Sequence, residues 1–250
     1  MDDLNKTDIK TLNKISSKFK KVLSDYRLIE DNDHILIGLS GGKDSLALVE
    51  LLSERIKLYV PKFKVTAAHI SVENIPYQSD LDYLENYTEN CGIPFVHQVT
   101  KFEKSSESKL STCYLCSWYR RKALFDLATS LNCNKIALGH NLDDIAETLL
   151  MNLVFQGSFG SMPPKLKMDK FDITVIRPLA LITEQEMIEM GRIKNYRKQI
   201  KNCPFEKDSK RAEAKKIISE LEKWNPNVRQ SLWSATENVK QKYLPMKESY

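Results

Sequence analysis

Along the chain, short and almost wholly apolar runs alternate with longer stretches in which apolar residues recur every three or four positions. The apolar runs fall at 34–39, 65–72, 93–99, 135–138 and 173–176. Runs of that length without alternation predict strands buried on both faces, as in a parallel sheet. The helical pattern occupies 1–28, the segment LALVELLSERI after Ser45, 78–90, 114–131 and 142–155. Gly92 stands where the third of these helices should be capped. The polar, serine-rich stretch 101–111 predicts a mobile loop, and 157–170, with Pro163-Pro164, a second loop. Beyond Thr183 the strand signal ends and helices fill the remainder. The alternation predicts an α/β fold: a doubly wound, mostly parallel five-stranded sheet with helices on both faces. An N-terminal amphipathic helix at 1–28 should precede a core at 29–182, and a helical extension at 183–250 should follow.

Composition changes this picture little. The chain has 250 residues, 42% hydrophobic and 28% charged, with no apolar run long enough for a membrane span. The first residues lack the apolar core of a secretory signal, so a cytoplasmic protein without membrane contact is expected. The net charge of +5 is modest, but its placement is not even. Lys6, Lys10, Lys14 and Lys18 form one helical stripe, with Ile9, Leu12, Ile15, Phe19, Val22 and Leu23 largely on another face. Arg192, Lys194, Arg197, Lys198 and Lys201 make a second basic stretch that continues through Lys207, Lys210 and Arg211. Each is a solvated helix face or part of a nucleic-acid-binding rim.

The first apolar run leads through Gly38 and Leu39 into Ser40-Gly41-Gly42-Lys43-Asp44-Ser45 and then a helix. In that placement two glycines let the backbone approach an anion, and the helix offers unsatisfied N–H groups and its positive dipole end. Ser40 and Ser45 add hydroxyls and Lys43 a cation. The string fits neither GxxxxGK[ST] nor GxGxxG. The fourth run leads into Gly139-His140-Asn141-Leu142-Asp143-Asp144, where two acids at a helix start suit Mg²⁺, the orientation of a base, or simply the helix dipole. His140 is as readily a structural histidine as a catalytic one.

Of the five cysteines, Cys113 and Cys116 lie within one turn at a helix start, where the thiolate is favoured. A CxxC by itself leaves redox, zinc and iron–sulfur use open. Cys203 follows the second basic stretch in Asn202-Cys203-Pro204-Phe205, and Cys91 and Cys133 read as small buried hydrophobes. An odd number of cysteines argues against a disulfide framework.

SGGKDS matches the SGGxDS signature of the PP-loop (N-type) ATP pyrophosphatases. The order SGGKDS, CxxC, LGHNLDDIAETLLMN, IRPLA and a late Cys-Pro resembles the bacterial 2-thiocytidine tRNA synthetases, over nearly the whole chain. Uridine-modifying relatives carry further cysteine pairs that five cysteines cannot supply, which places this chain nearer the cytidine-modifying branch. The resemblance implies the HUP (adenine nucleotide alpha hydrolase-like) fold and cleavage of ATP between its α- and β-phosphates. It implies an ATP site on Gly38, Leu39, Ser40, Gly41, Gly42, Lys43, Asp44 and Ser45, with His69, Ile70 and Gly139 against the adenosine and Asp143 close by. Asp44 and Asp144 are then the candidates for Mg²⁺ or for positioning the base, and Arg120 for stabilising developing negative charge. It further implies a [4Fe–4S] cluster on Cys113, Cys116 and Cys203, a tRNA substrate, and a cysteine desulfurase or free sulfide as sulfur donor. Homodimers are common in that family. Several relatives have a cysteine where this chain has Glu206, which removes a spare thiol and leaves the three-ligand arrangement intact. Three alternatives stand beside this reading. One is a PP-loop enzyme of another branch, such as a lysidine-type ligase or an amidating synthetase. Another is thiolation through a persulfide on Cys113 or Cys203. The last is a nucleotide- or metal-binding regulator.

Overall fold

The structure, a computed structural model, describes residues 5–73, 75, 79–102, 111–197 and 210–245. The predicted loop 101–111 lies largely outside them, as does Cys203. Contacts group the chain into two compact units, 1–141 with 163–208 and 142–162 with 209–250. The sequence reading divides the chain at other places, into 1–28, 29–182 and 183–250.

The first unit is built on a six-stranded sheet: β1 (His34–Gly38), β2 (Lys64–Val72), β3 (Phe95–Thr100), β4 (Lys135–Ala137), β5 (Lys165–Lys167) and β6 (Thr174–Ile176), in the order β3-β2-β1-β4-β6-β5. The first five in that order run parallel, and β5 pairs antiparallel with β6 at the edge. Five strands were expected. The sixth escaped because all three residues of β5 are exposed, so no apolar alternation marks it. Ile35, Leu36 and Ile37 in β1 are wholly buried, as the unbroken apolar run required.

Three helices make the crossovers of this unit: α2 (Lys43–Ile56) after β1, α3 (Leu81–Asn90) after β2 and α4 (Thr112–Ser130) after β3. The chain moves outward from β1 to β3, so right-handed connections put α2 and α3 on one face, and the return from β3 to β4 puts α4 on the other. There Leu124, Phe125 and Ala128 of α4 pack with Ala68, Ile70, Ile136 and Val175 of the sheet. α3 ends as foreseen at Gly92, whose φ of +69° is the left-handed conformation that glycine tolerates. The strand order reverses between β1 and β4, which makes the crevice at their carboxyl ends the natural ligand site.

α1 (Lys6–Asp25) begins at Asn5, whose side chain accepts from the Asp8 N–H at 2.8 Å, and it buries Ile15, Phe19, Val22 and Leu23. α6 (Glu184–Ile193) opens with a complete capping box between Thr183 and Glu186. In the second unit, α5 (Leu142–Met151) runs into a π-helical turn at Asn152–Gln156 that ends at Gly157. α7 (Lys210–Glu222) and α8 (Val228–Glu237) pack on α5 through Ala146, Ile218 and Val228. No helix among the described residues is long and apolar enough to cross a membrane.

Candidate active site

The loop between β1 and α2 turns at Gly41, with φ +80°, and reaches α2 through Gly42, which caps the helix without any side-chain hydrogen bond. Ser40 Oγ accepts from the Gly42 N–H at 3.3 Å and donates to Ser45 Oγ at 3.2 Å, and the Ser45 hydroxyl donates to the Gly42 carbonyl at 2.9 Å. These bonds hold the loop closed on itself. The N-cap of α2 is a glycine and gives the first turn no side-chain hydrogen bond, which is the arrangement that binds anions. Lys43 Nζ lies 3.1 Å from Asp44 Oδ2 and 3.9 Å from Glu184.

Two residues after β4 complete this junction. A Cβ on Gly139 would stand 3.2 Å from the Asp44 carbonyl carbon and 3.2 Å from the Ser45 nitrogen. Gly139 was expected to make room for a nucleotide; the close approach it permits is that of the first turn of α2. Asn141 Nδ2 donates to Asp44 Oδ1 at 3.4 Å, a contact the sequence reading missed. Gly38 has a similar packing role, since a Cβ there would meet the side chains of Leu138 and Leu124 at 3.0 and 3.2 Å.

His69 and Ile70 sit on adjacent positions of β2 and face opposite ways. Ile70 is part of the apolar cluster under α4. His69 is wholly buried, and its Nδ1–H donates to the Leu39 carbonyl at 2.7 Å. Leu39 also donates its own N–H to Ala68 at 2.8 Å, so both its backbone groups are fixed to β2 just before Ser40. Nε2 of His69 has no hydrogen-bond partner among the described residues. Burial lowers the pKa of this imidazole to about 4, helped by Arg120 and His97 and opposed by the bond to Leu39.

Cys113 and Cys116 lie in the first turn of α4, which is capped by Ser111 through the Tyr114 N–H at 3.2 Å. Cys113 is exposed and Cys116 half-buried, accessible to a metal centre or an electrophile. Because β3 and β4 are parallel, α4 starts on the side of the strands' carboxyl ends, as α2 does. The expected third ligand, Cys203, is outside the described residues. Cys133 is buried, which pushes its thiol up to about 11, and Cys91 is half-buried with its thiol also raised by burial.

Asp143 and Asp144 belong to the second unit, where each carboxylate meets an arginine. Arg229 of α8 bonds Asp143 and reaches Glu222 at 2.6 Å. Arg211 of α7 bonds Asp144 at 2.7 Å and Thr148 at 3.2 Å. Beside them, burial pushes Glu147 up to about 7, with Arg211 pulling it down and Asp144 pushing it further up. Sequence patterning left Arg211 as part of a solvated helix face or of a nucleic-acid rim; in the fold it pairs with Asp144. No local signal in the sequence pairs residues this far apart along the chain.

Several cations of the two basic stretches are paired with acids. Lys14 and Lys18 both bond Glu186, at 3.0 and 2.7 Å, and only Lys6 and Lys10 remain outward and without ion pairs among the described residues. Arg192 bonds Asp8 at 2.5 Å, Lys194 bonds Glu50, and Arg197 bonds Asp80 at 2.6 Å. Lys210 rests over the Phe155 ring, 4.4 Å from its centroid. Lys198, Lys201 and Lys207 lie outside the described residues.

Comparison with known proteins agrees with this geometry. The PP-loop domain family matches residues 11–212. A protein of Geobacter sulfurreducens named tRNA-cytidine(32) 2-sulfurtransferase is 35% identical over 237 residues, covering 92% of this chain and 91% of its own. One of the same name from Pelobacter propionicus is 36% identical over 231 residues, covering 90% and 85%. Among solved structures, the U34-tRNA thiolase NcsA from Methanococcus maripaludis, with its [4Fe-4S] cluster, superposes with a TM-score of 0.75 at 28% identity, covering 91% of this chain and 78% of its own. A likeness in fold alone extends to an NH3-dependent NAD synthetase from Campylobacter jejuni, with a TM-score of 0.50 at 16% identity, covering 95% of this chain and 99% of its own. With the loop, the uncapped helix and the strand-order switch in place, the chain belongs to the PP-loop family, in the group whose members are named tRNA-cytidine(32) 2-sulfurtransferases.

Proposed function

We propose that this protein is an ATP-dependent tRNA sulfurtransferase that replaces the C2 oxygen of a cytidine in the anticodon loop with sulfur. The observation that carries the reading is a pair of features in one unit. An uncapped SGGKDS loop and two accessible thiols at the start of α4 both stand on the carboxyl side of the strands. The relatives' names supply the substrate. The first-turn amides of α2, Ser40, Ser45 and Lys43 bind the phosphates of ATP, and Asp44, braced by Asn141, faces their Mg²⁺. The C2 carbonyl oxygen of the extruded base attacks the α-phosphorus and pyrophosphate leaves. Sulfide then adds at C2, and AMP departs with the former carbonyl oxygen. Arg120 stabilises the negative charge that develops on the way. His69 fixes the Leu39 carbonyl and so the entrance to the loop. Asp144 is held by Arg211 within the second unit.

Thiolates of Cys113 and Cys116 are the right donors for an iron–sulfur cluster, and their spacing of one helical turn suits two corners of it. When bound with Cys203 as third ligand, such a cluster supplies an iron without a protein ligand at which sulfide can be held. The chain's own part is to keep both thiols near a helix N-terminus and reachable.

The deciding experiment is anaerobic purification followed by iron and sulfide analysis and a thiolation assay on unmodified tRNA with ATP, Mg²⁺ and sulfide. The expected result is about four irons and four sulfides per chain. Thiocytidine should form only with ATP, and Cys113→Ser should remove both cluster and product. Product formed at full rate by an iron-free preparation would remove the cluster from the reaction; no product on any tRNA would overturn the reading.

A further inference from the structure

The N-terminal half of α4 is unusual for a helix of this unit. Its buried residues, Ala123, Leu124, Phe125 and Ala128, all lie in the second half, and nothing from Thr112 to Lys122 is buried. In that open half Tyr114 is 54% and Trp118 46% exposed, large areas of aromatic surface left uncovered. Tyr114, Trp118 and Arg121 recur at intervals of four and three and therefore share one stripe of the helix, beside the one that carries Cys113.

The indole is held in place. Tyr119 meets Trp118 edge-on with ring centroids 4.8 Å apart, and Phe102 stacks on Tyr119 at 5.7 Å. A ring fixed in this way loses little freedom when a ligand covers it. Arg120, Arg121 and Lys122 follow the aromatics, and no acidic residue lies between Ser111 and Phe125. Lys122 bonds Asp126 at 2.9 Å, whereas Arg121 is exposed and makes no ion pair among the described residues.

We propose that Tyr114 and Trp118, with Arg121 beside them, form a stacking platform for unpaired RNA bases flanking the nucleotide that reacts. The inference rests on the reading of tRNA as substrate and deepens it. A base extruded for chemistry leaves its neighbours without a stacking partner on one face. Aromatic surface beside Cys113 on the same helix offers a replacement face, and the Arg121 guanidinium holds the adjoining phosphate. Exposed aromatics followed directly by cations fit single-stranded RNA, whose bases stack and whose phosphates are anionic.

The test is the affinity of the purified, iron-replete protein for a fluorescently labelled anticodon stem–loop and for an RNA duplex of equal length. It compares the native chain with Trp118→Leu and Trp118→Phe, alongside iron content and ATP affinity. The leucine variant should bind the stem–loop roughly tenfold more weakly while keeping iron, ATP affinity and duplex affinity, and phenylalanine should restore most of the loss. An unchanged stem–loop affinity in Trp118→Leu, or an equal loss for duplex, would overturn the platform while thiolation by the native protein left the proposed function standing. Unchanged RNA affinity with impaired sulfur delivery from a cysteine desulfurase would assign the stripe to a protein partner and equally overturn it. A native chain that neither binds the stem–loop nor thiolates tRNA would remove the proposed function itself.

Discussion

His69 shows how one buried side chain can set the geometry of a phosphate loop without touching a phosphate. The Leu39 carbonyl can only accept, so Nδ1 carries the proton, and burial keeps the ring neutral. With a folded pKa lowered from 6.5 to about 4, the unfolded chain takes up a proton between those values that the native chain refuses. Stability from this group is therefore complete above about pH 6.5 and is lost as pH falls toward 4. The melting temperature of the native protein should fall more steeply from pH 7 to pH 5 than that of His69→Asn, whose amide can still donate to Leu39. Parallel curves would show that the imidazole is not held neutral. The family resemblance made His69 visible, as a residue expected against the adenosine, and a place beside the loop followed. Its bond to the backbone did not, because that depends on β1 and β2 being neighbours in register. Gly139 teaches the same lesson: the need for a missing side chain was legible, but the atoms that require it, in the first turn of α2, come from another part of the chain.

At the scale of elements, α1 and α6 are joined by charge as well as by apolar packing. Glu186 closes the capping box of α6 and accepts from Lys18 at 2.7 and 2.8 Å and from Lys14 at 3.0 Å. Burial pushes its carboxyl up, but Lys18, the Thr183 backbone and Lys14 outweigh that and hold it below the ordinary value. A depressed carboxylate stabilises the fold above its unfolded pKa and loses that contribution as pH falls through the folded one. Glu186→Ala should cost about 2–3 kcal/mol near neutral pH, and less below pH 4. The cost would appear as a lower urea midpoint at constant m-value; an unchanged midpoint would mean that the two lysines simply find water. The helix pattern revealed the lysine stripe at 6, 10, 14 and 18, but not that half of it faces a carboxylate 168 residues away. Sequence spacing places charges on a face and is silent about what lies opposite.

For the molecule as a whole, the second unit closes over its acidic motif. Asp143 is 7% exposed and bonded to Arg229, and Asp144 is held by Arg211. Arg229→Met should leave a buried carboxylate without its partner and lower stability by about 3 kcal/mol. Asp143→Leu combined with Arg229→Met should recover most of that loss, since a well-packed apolar pair replaces the ions. Thermal melts of the single and double variants check this, and simply additive losses would deny the coupling. The sequence alone determined the layered α/β class, the five main strands, the loop that meets α2 and the two thiols at the start of α4. Each of these rests on local pattern: apolar runs, glycines at a strand end, and residues within one helical turn. Only the tertiary structure decided the sixth strand, the partners of Gly139 and Asp44, and which cations remain outward. Those are contacts between residues far apart in the chain, and the energy that selects them comes from burial and charge pairing that exist only once the strands are in order.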